Sequence, residues 1–315
     1  MTCTRKYLWI VLIMAALLPS TVRAKTLGAG EPEMEFIFRS IDVPGALRTI
    51  AQGINDAGDI SGFFVDTQAT HGFLLRRGRV TVIDYPGAAW TQALGINAQG
   101  DIVGTYGRPG DPDPSFTATP VLHGFLRTRH RQFRDVLYPG HLHEIPQRIT
   151  STGIILGCYH DMDLMDSMFG FSWSRNGLAP ISVPASMHNG ATPDGSRIAG
   201  RYTDLATGQS HGYLLDRGTF IPFDVPGSAT TNAWDINPQG DIVGDYQDAD
   251  GLHGFLRTED GDFFRLDFPG SNNTQARGIN AQRKVVGFYV DSGGARHGFV
   301  ARPRDKKGIG LAKEA

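Results

Sequence analysis

Three short phrases recur in the same order about six times along the chain, so its fold must repeat one structural unit. The clearest copy opens with Asp235-Ile236-Asn237-Pro238-Gln239-Gly240-Asp241-Ile242-Val243-Gly244. It continues with His253-Gly254-Phe255-Leu256 and closes with Asp267-Phe268-Pro269-Gly270. The first phrase begins at Gly53, Gly95, Arg148, Gly190, Asp235 and Gly278; copies three and four are the most eroded, with Thr150 and Thr192 in place of Asn. The second phrase returns at His71, His123, His211, His253 and His297, and Phe169-Gly170-Phe171 stands in for it in the third copy. The closing prolines are Pro44, Pro86, Pro139, Pro226 and Pro269, with a worn copy at Pro184, and they step by 42, 53, 45, 42 and 43 residues. A period in the forties is that of a propeller blade or a similar array.

Each phrase has a local reading. Asn-x-x-Gly between two apolar pairs predicts a hairpin, with Asn capping the turn through its side chain and Gly in the left-handed position. The Ile-Val pairs predict a strand covered on both faces. Pro-Gly fits the centre of a type II turn. His-Gly-Phe opens a third strand, and a short polar turn such as Arg76-Arg77-Gly78 leads to a fourth. The chain begins with a fourth-strand phrase (Phe36 to Pro44) and ends with a third-strand phrase (His297 to Ala301), so each end supplies what the other lacks. An all-β, six-bladed β-propeller follows, with four antiparallel strands per blade and the N-terminal strand closing the last blade. The expected boundaries are a signal peptide at 1–24, a linker at 25–33, the propeller at 34–302 and a polar, loose tail at 303–315.

Composition agrees with this and narrows the setting. With 40 Gly in 315 residues and no three-residue period, the glycines mark turns rather than a fibre. The formal charge of −2, without a block of one sign, indicates neither nucleic acid nor an anionic membrane as partner. Arg5 and Lys6, the 12-residue apolar run from Tyr7 to Leu18, and Val22-Arg23-Ala24 have the order of a secretory signal with its cleavage site. The run falls short of the ~20 residues of a spanning helix, so no stable membrane insertion is expected. Cleavage removes Arg5, Lys6 and Arg23 and no acid, which takes the charge from −2 to −5. It also removes Cys3, leaving Cys158 without an intrachain partner.

The combination of Gly-Ile-Asn-x-x-Gly-x-Ile-Val-Gly, His-Gly-Phe-Leu and Asp-x-Pro-Gly resembles the HAF repeat family of extracellular bacterial proteins, over essentially the whole chain from Met34 to Ala301. The resemblance implies export and a repeat array, in a secreted or periplasmic setting, and no particular activity.

Candidate chemistry lies where the repeats differ. Turns between strands one and two, and three and four, share one face and are monotonous; the remaining loops share the other face and vary, as binding loops on a rigid frame do. That second face, around blades two and three, carries Trp90, His141, His143 and Glu144 as ligand-face candidates. His141, His143, His160, Asp161 and Asp163 have the ligand types for zinc or another divalent ion, set against a reading as solvated loops. Met162, Met165 and Met168 beside Cys158 and His160 suit a soft ion such as Cu(I), although methionines more often fill packing gaps. Asp245, Asp248 and Asp250-Gly251 form an acidic loop of calcium-binding character without the closing Glu of an EF-hand. The repeated histidines are expected to be structural, at contacts between blades and bonded to a neighbouring backbone group. Cys158 reads as a small, buried, inert residue.

No nucleophile elbow, metalloprotease helix, phosphate loop or dinucleotide fingerprint is present. These readings point to an exported, non-enzymatic, monomeric propeller that binds a protein, glycan or small ligand on its variable face. The alternative is a divalent-metal-dependent hydrolase or lyase that uses His141, His143, Glu144, His160 and Asp161.

Overall fold

The computed structural model describes residues 20–24, 34–115, 121–141, 143–160, 169–181 and 185–304. Among them every regular element is a strand, and the strands form six antiparallel sheets arranged as blades of a ring. The first blade shows the plan: Arg48–Ile54, Ile60–Val65, Thr70–Arg76 and Arg79–Ile83, each hydrogen-bonded to the next. The inner strands of the other blades are Trp90–Ile96, His143–Ile149, Ser186–Ala191, Thr230–Ile236 and Thr274–Ile279.

The last blade closes as the order of phrases predicts. Met34–Ile41 pairs antiparallel with Arg296–Pro303, and Phe36, Phe38 and Ile41 enter the core. Pairing runs slightly past the expected end of the domain, because Arg304 donates its backbone N–H to the Glu35 carbonyl and reaches its carboxylate at 3.0 Å. This blade carries one strand more than expected: Ser20–Ala24 pairs with the outer edge of Met34–Ile41. The apolar run before it, the linker at 25–33 and most of the tail lie outside the described residues.

The core is a set of seams between neighbouring blades. Val286 of the sixth blade packs with Ala51 and Phe73 of the first, Leu74 of the first with Ala93 and Phe125 of the second, and Val103 of the second with Ile149 and Phe171 of the third. The Ile-Val pairs are buried on both faces because each strand lies between two such seams. In Ile-Val-Gly only glycine fits: a Cβ on Gly244 would stand 2.0 Å from the Asn232 carbonyl oxygen and 2.6 Å from the Phe255 ring.

The motif asparagines cap their turns and also join blades. Asn237 Oδ1 accepts the N–H of Asp241, while its Nδ2 donates to the Asn280 carbonyl of the next blade; Asn280 donates likewise to Asn55, Asn55 to Asn97 and Asn97 to Thr150, at 3.0–3.4 Å. Thr150 and Thr192 accept from the N–H of Ile154 and Arg197, so they cap the turn, but a hydroxyl lacks the second donor that reaches the next blade.

The histidines depart from expectation. They bond to carboxylates within their own blade rather than to backbone groups between blades. Nδ1 meets Asp84 in His71, Asp224 in His211, Asp267 in His253 and Asp42 in His297, at 2.8–2.9 Å. The reason is topological: strands three and four are antiparallel neighbours, so the start of one and the end of the other meet. In the second blade Leu137 replaces this Asp, and His123 pairs instead with Asp111 of the preceding loop at 3.1 Å. Each imidazole also lies beside the aromatic that ends strand two, as His71 does on Phe64 and His297 on Tyr289, with ring centroids 5.2 Å apart. The three phrases are therefore one tertiary unit.

Candidate functional site

All six inner strands carry a β-bulge at the same place. It leaves Gln52, Leu94, Gln147, Asn189, Trp234 and Arg277 unpaired in their ladders, in blades one to six respectively. A bulge re-aims the side chain it frees, and here it does so where six strands converge on the axis. The convergence is close, since a Cβ on Gly190 would stand 2.5 Å from Asp235 Cα and one on Gly95 2.9 Å from Arg148 Cα.

Gly53, Gly95, Gly190 and Gly278 follow the bulge in four blades; Arg148 and Asp235 take their place in the third and fifth. Arg148 Nε meets Asp235 Oδ1 at 3.2 Å. The guanidinium also donates to the backbone carbonyls of Gln147, Gln52 and Arg277, so it spans from the third blade to the first and sixth. Asp235 accepts the N–H groups of Ile236 and Ile279. Burial raises the Asp235 pKa, with Arg148 and the two amides opposing it. The pair closes the axis, and the cavity of about 90 Å³ on the Asn-turn side has Arg148 and Asp235 among its lining residues.

Inner strands run from the variable-loop face toward the Asn turns, so the bulge residues lie on the variable-loop side of this plug. There the charge is uneven. Arg201, in the strand Arg197–Thr203 of the fourth blade, lies with its guanidinium carbon 5.8 Å from the Trp234 ring centroid, and Arg277 of the sixth blade stacks on the same ring at 3.7 Å. Asp245 is nearby but engaged, accepting from Asn232 Nδ2 at 2.8 Å and from the Trp234 indole N–H. Arg277 donates to Gln275 Oε1, while its buried Nε has no partner. Burial first, then Arg201 and its other cationic neighbours, lower Arg277 to about 10 despite Asp245. Arg201 is lowered by burial as well, and its Nε approaches Met187 Sδ, a weak acceptor, at 3.1 Å. A cation–π contact offsets about 2 kcal/mol when desolvated; an ion removed from water costs several kcal/mol. The indole leaves part of that cost standing.

Of the four ligand-face candidates singled out from sequence, whose side chains are described, three are interior. Trp90 is 2% exposed and packs against Gly107, with its indole N–H buried and unpartnered. His143 is buried, and its Nδ1 accepts from the Leu122 N–H at 3.3 Å. Glu144 is 3% exposed, and burial raises its pKa to about 7. Its Oε1 accepts the Tyr138 N–H at 3.3 Å, the bond that Thr49, Thr91, Thr231 and Thr274 make in other blades. His143 and Glu144 are adjacent on a strand and point to opposite faces. His141 is partly exposed and packs on Tyr138 and Tyr159. His160 stands opposite His143 in backbone register; its side chain, Asp161, Asp163 and the three methionines lie outside the described residues. Among the described residues no group of three or more His, Cys, Asp or Glu is placed to hold a metal ion.

The acidic loop of the fifth blade divides its carboxylates. Asp245 faces Trp234, while Asp248 accepts the N–H groups of Asp250 and Gly251 and meets His253 Nε2 at 3.1 Å. Cys158 is buried, and burial pushes its thiol up to about 12, which leaves it unreactive.

Sequence reasoning passed over Arg148, Asp235, Trp234, Arg201 and Arg277. The signal was there in part: Arg148 and Asp235 are opposite charges at a position that is glycine in the other blades.

No protein-family model and no curated protein sequence matches the chain. Among solved structures, a gluconolactonase from Xanthomonas campestris is similar with a TM-score of 0.56 and 13% identity, over 94% of this chain and 100% of that one. A protein described as a putative TolB from Agrobacterium tumefaciens gives 0.52 and 12%, over 91% and 99%. TolB from Acinetobacter baumannii gives 0.51 and 12%, over 78% of this chain and 63% of that one. At these identities the likeness is one of fold. Among the described residues no helix is long and apolar enough to cross a membrane.

Proposed function

We propose that the chain is an exported propeller of HAF-repeat type that binds a small ligand, or the end of a glycan chain, in the axial bore entered from the variable-loop face. One observation carries the reading. The bore is shut toward the Asn turns by Arg148 and Asp235, whereas on the other side Arg201 and Arg277 lie against Trp234 and the buried Nε of Arg277 has no hydrogen-bond partner. A buried guanidinium N–H without a protein partner is a provision for a ligand. Export is supported by Arg5, Lys6 and the apolar run that follows.

The test is a thermal-shift screen of charged and neutral small molecules and glycan fragments, run on the wild type and on Trp234→Ala. Stabilisation by mass action is expected for some compound with the wild type and not with the variant. If no compound stabilises the wild type, or if Trp234→Ala responds equally, the bore is not the binding site.

A further inference from the structure

We propose that the bore selects its ligand by an oxyanion, a carboxylate or a phosphate, held between Arg201 and Arg277 beside Trp234. This rests on the binding role above and assigns the chemistry of the ligand.

The argument is one of unmatched donors. The residues described on the axis and around Trp234 include three guanidinium groups, of Arg148, Arg201 and Arg277, and two carboxylates, of Asp235 and Asp245, and Arg296 adds a further positive charge beside Arg277 at Phe288. Both carboxylates are engaged: Asp235 with Arg148 and two backbone amides, Asp245 with Asn232 and Trp234. Arg148 is engaged through its terminal nitrogens with three carbonyls and stands at ion-pair distance from Asp235, although its Nε, like that of Arg277, makes no hydrogen bond. Arg201 and Arg277 keep donors to spare, the buried Nε of Arg277 among them. They arrive from the blades on either side of the fifth, and both guanidinium groups lie against the one Trp234 indole.

Neither residue belongs to the blade plan. The positions equivalent to Arg277 are Gln52, Leu94, Gln147, Asn189 and Trp234; those equivalent to Arg201 are Phe63, Thr105, Cys158, Asp245 and Phe288. Other blades form without a cation at either place, so the fold does not require these two. Both residues keep some exposure. An oxyanion there accepts from both planar forks and removes the excess positive charge. A cation would meet three arginines, and a neutral ligand would leave the excess charge in place.

The experiment uses the full chain with sodium phosphate, sodium glucuronate and glucose as probes, at ionic strength matched with sodium chloride. The readouts are melting temperature and the tryptophan fluorescence difference between the wild type and Trp234→Phe. A saturable rise in melting temperature with phosphate or glucuronate is expected, with a fluorescence change absent from Trp234→Phe and no response to glucose. Arg201→Gln should weaken binding about tenfold or more. Arg201→Lys keeps the charge but not the fork, and should fall between the two even if the glutamine variant folds poorly. A response to phosphate alone assigns a phosphate-bearing ligand, and one to glucuronate alone a carboxylate. The proposal is overturned if neither anion acts saturably, or if both arginine variants bind as the wild type does. Binding of glucose alone overturns the anion assignment and leaves the binding role standing.

Discussion

At the scale of single residues, the informative positions are departures from the repeat that compensate one another. Arg148 and Asp235 replace glycine in two blades and meet across the axis. Removing one partner strands a buried charge, so Arg148→Gly should cost about 3–5 kcal/mol. Adding Asp235→Gly restores the glycine of the other blades and should recover most of the loss in urea unfolding. His188 and Tyr213 form a second such pair, standing where four other blades have alanine and phenylalanine, with the Tyr213 hydroxyl hydrogen-bonded to the imidazole. Burial lowers the His188 pKa to about 3 from 6.5. Between those values the unfolded chain binds one proton more, so stability falls as pH falls, by about 1.4 kcal/mol per pH unit. The double variant His188→Ala, Tyr213→Phe should abolish that acid loss. His71 and His297 act in the opposite sense. Their pKa values are raised, chiefly by Asp84 for His71 and by Asp42 against burial for His297, above the ordinary 6.5. Their contribution is whole below 6.5 and is lost as pH rises through the folded values. Urea midpoints of the wild type, the double variant and His297→Asn, followed across about pH 4 to 8, separate the two effects.

At the scale of elements, the hairpin turn of strands one and two both ends a strand and clasps the next blade. Thr150 keeps the first role without the second, which makes Asn280→Thr a clean substitution: the turn cap survives, and the donor to the Asn55 carbonyl at the seam of last and first blades is lost. The Asn55 carbonyl keeps the Gly58 N–H, so the expected cost is that of one hydrogen bond, about 0.5–1.5 kcal/mol. A loss no larger than that of an exposed polar substitution would show that the clasp adds nothing. The turn was legible in Asn-x-x-Gly. The clasp was not, because its acceptor lies a whole repeat away and nothing local marks it.

For the whole molecule, closure of the ring rests on Met34–Ile41, which inserts Phe36 and Phe38 into the sixth blade and supplies Asp42 to His297. Deleting Glu35 to Ile41 should unfold the ring or drive it to oligomerise through the exposed edge of Arg296–Pro303. Of the described elements, a chain starting at Lys25 loses only the outer strand Ser20–Ala24, and it should keep the oligomeric state of the full chain and most of its stability. Size-exclusion chromatography and thermal melting of the two truncations check this; a stable monomer after the first deletion would remove the closure argument.

Periodicity of the three phrases, and the missing fourth strand at one end of the chain, sufficed for the blade count, the strand plan and the closing strand. Hairpin turns, apolar pairs and repeat length are local or periodic properties, and a sequence displays these directly. The site was less accessible. Attention to irregular loops led to Trp90, His143 and Glu144, whose side chains turn inward because strand alternation and burial decide their direction. The axial group of Arg148, Asp235, Trp234, Arg201 and Arg277 comes from four different blades. Apart from the neighbours Trp234 and Asp235, its members are tens of residues apart in the chain, and only the closing of the ring, with a bulge in every inner strand, brings their side chains to one axis.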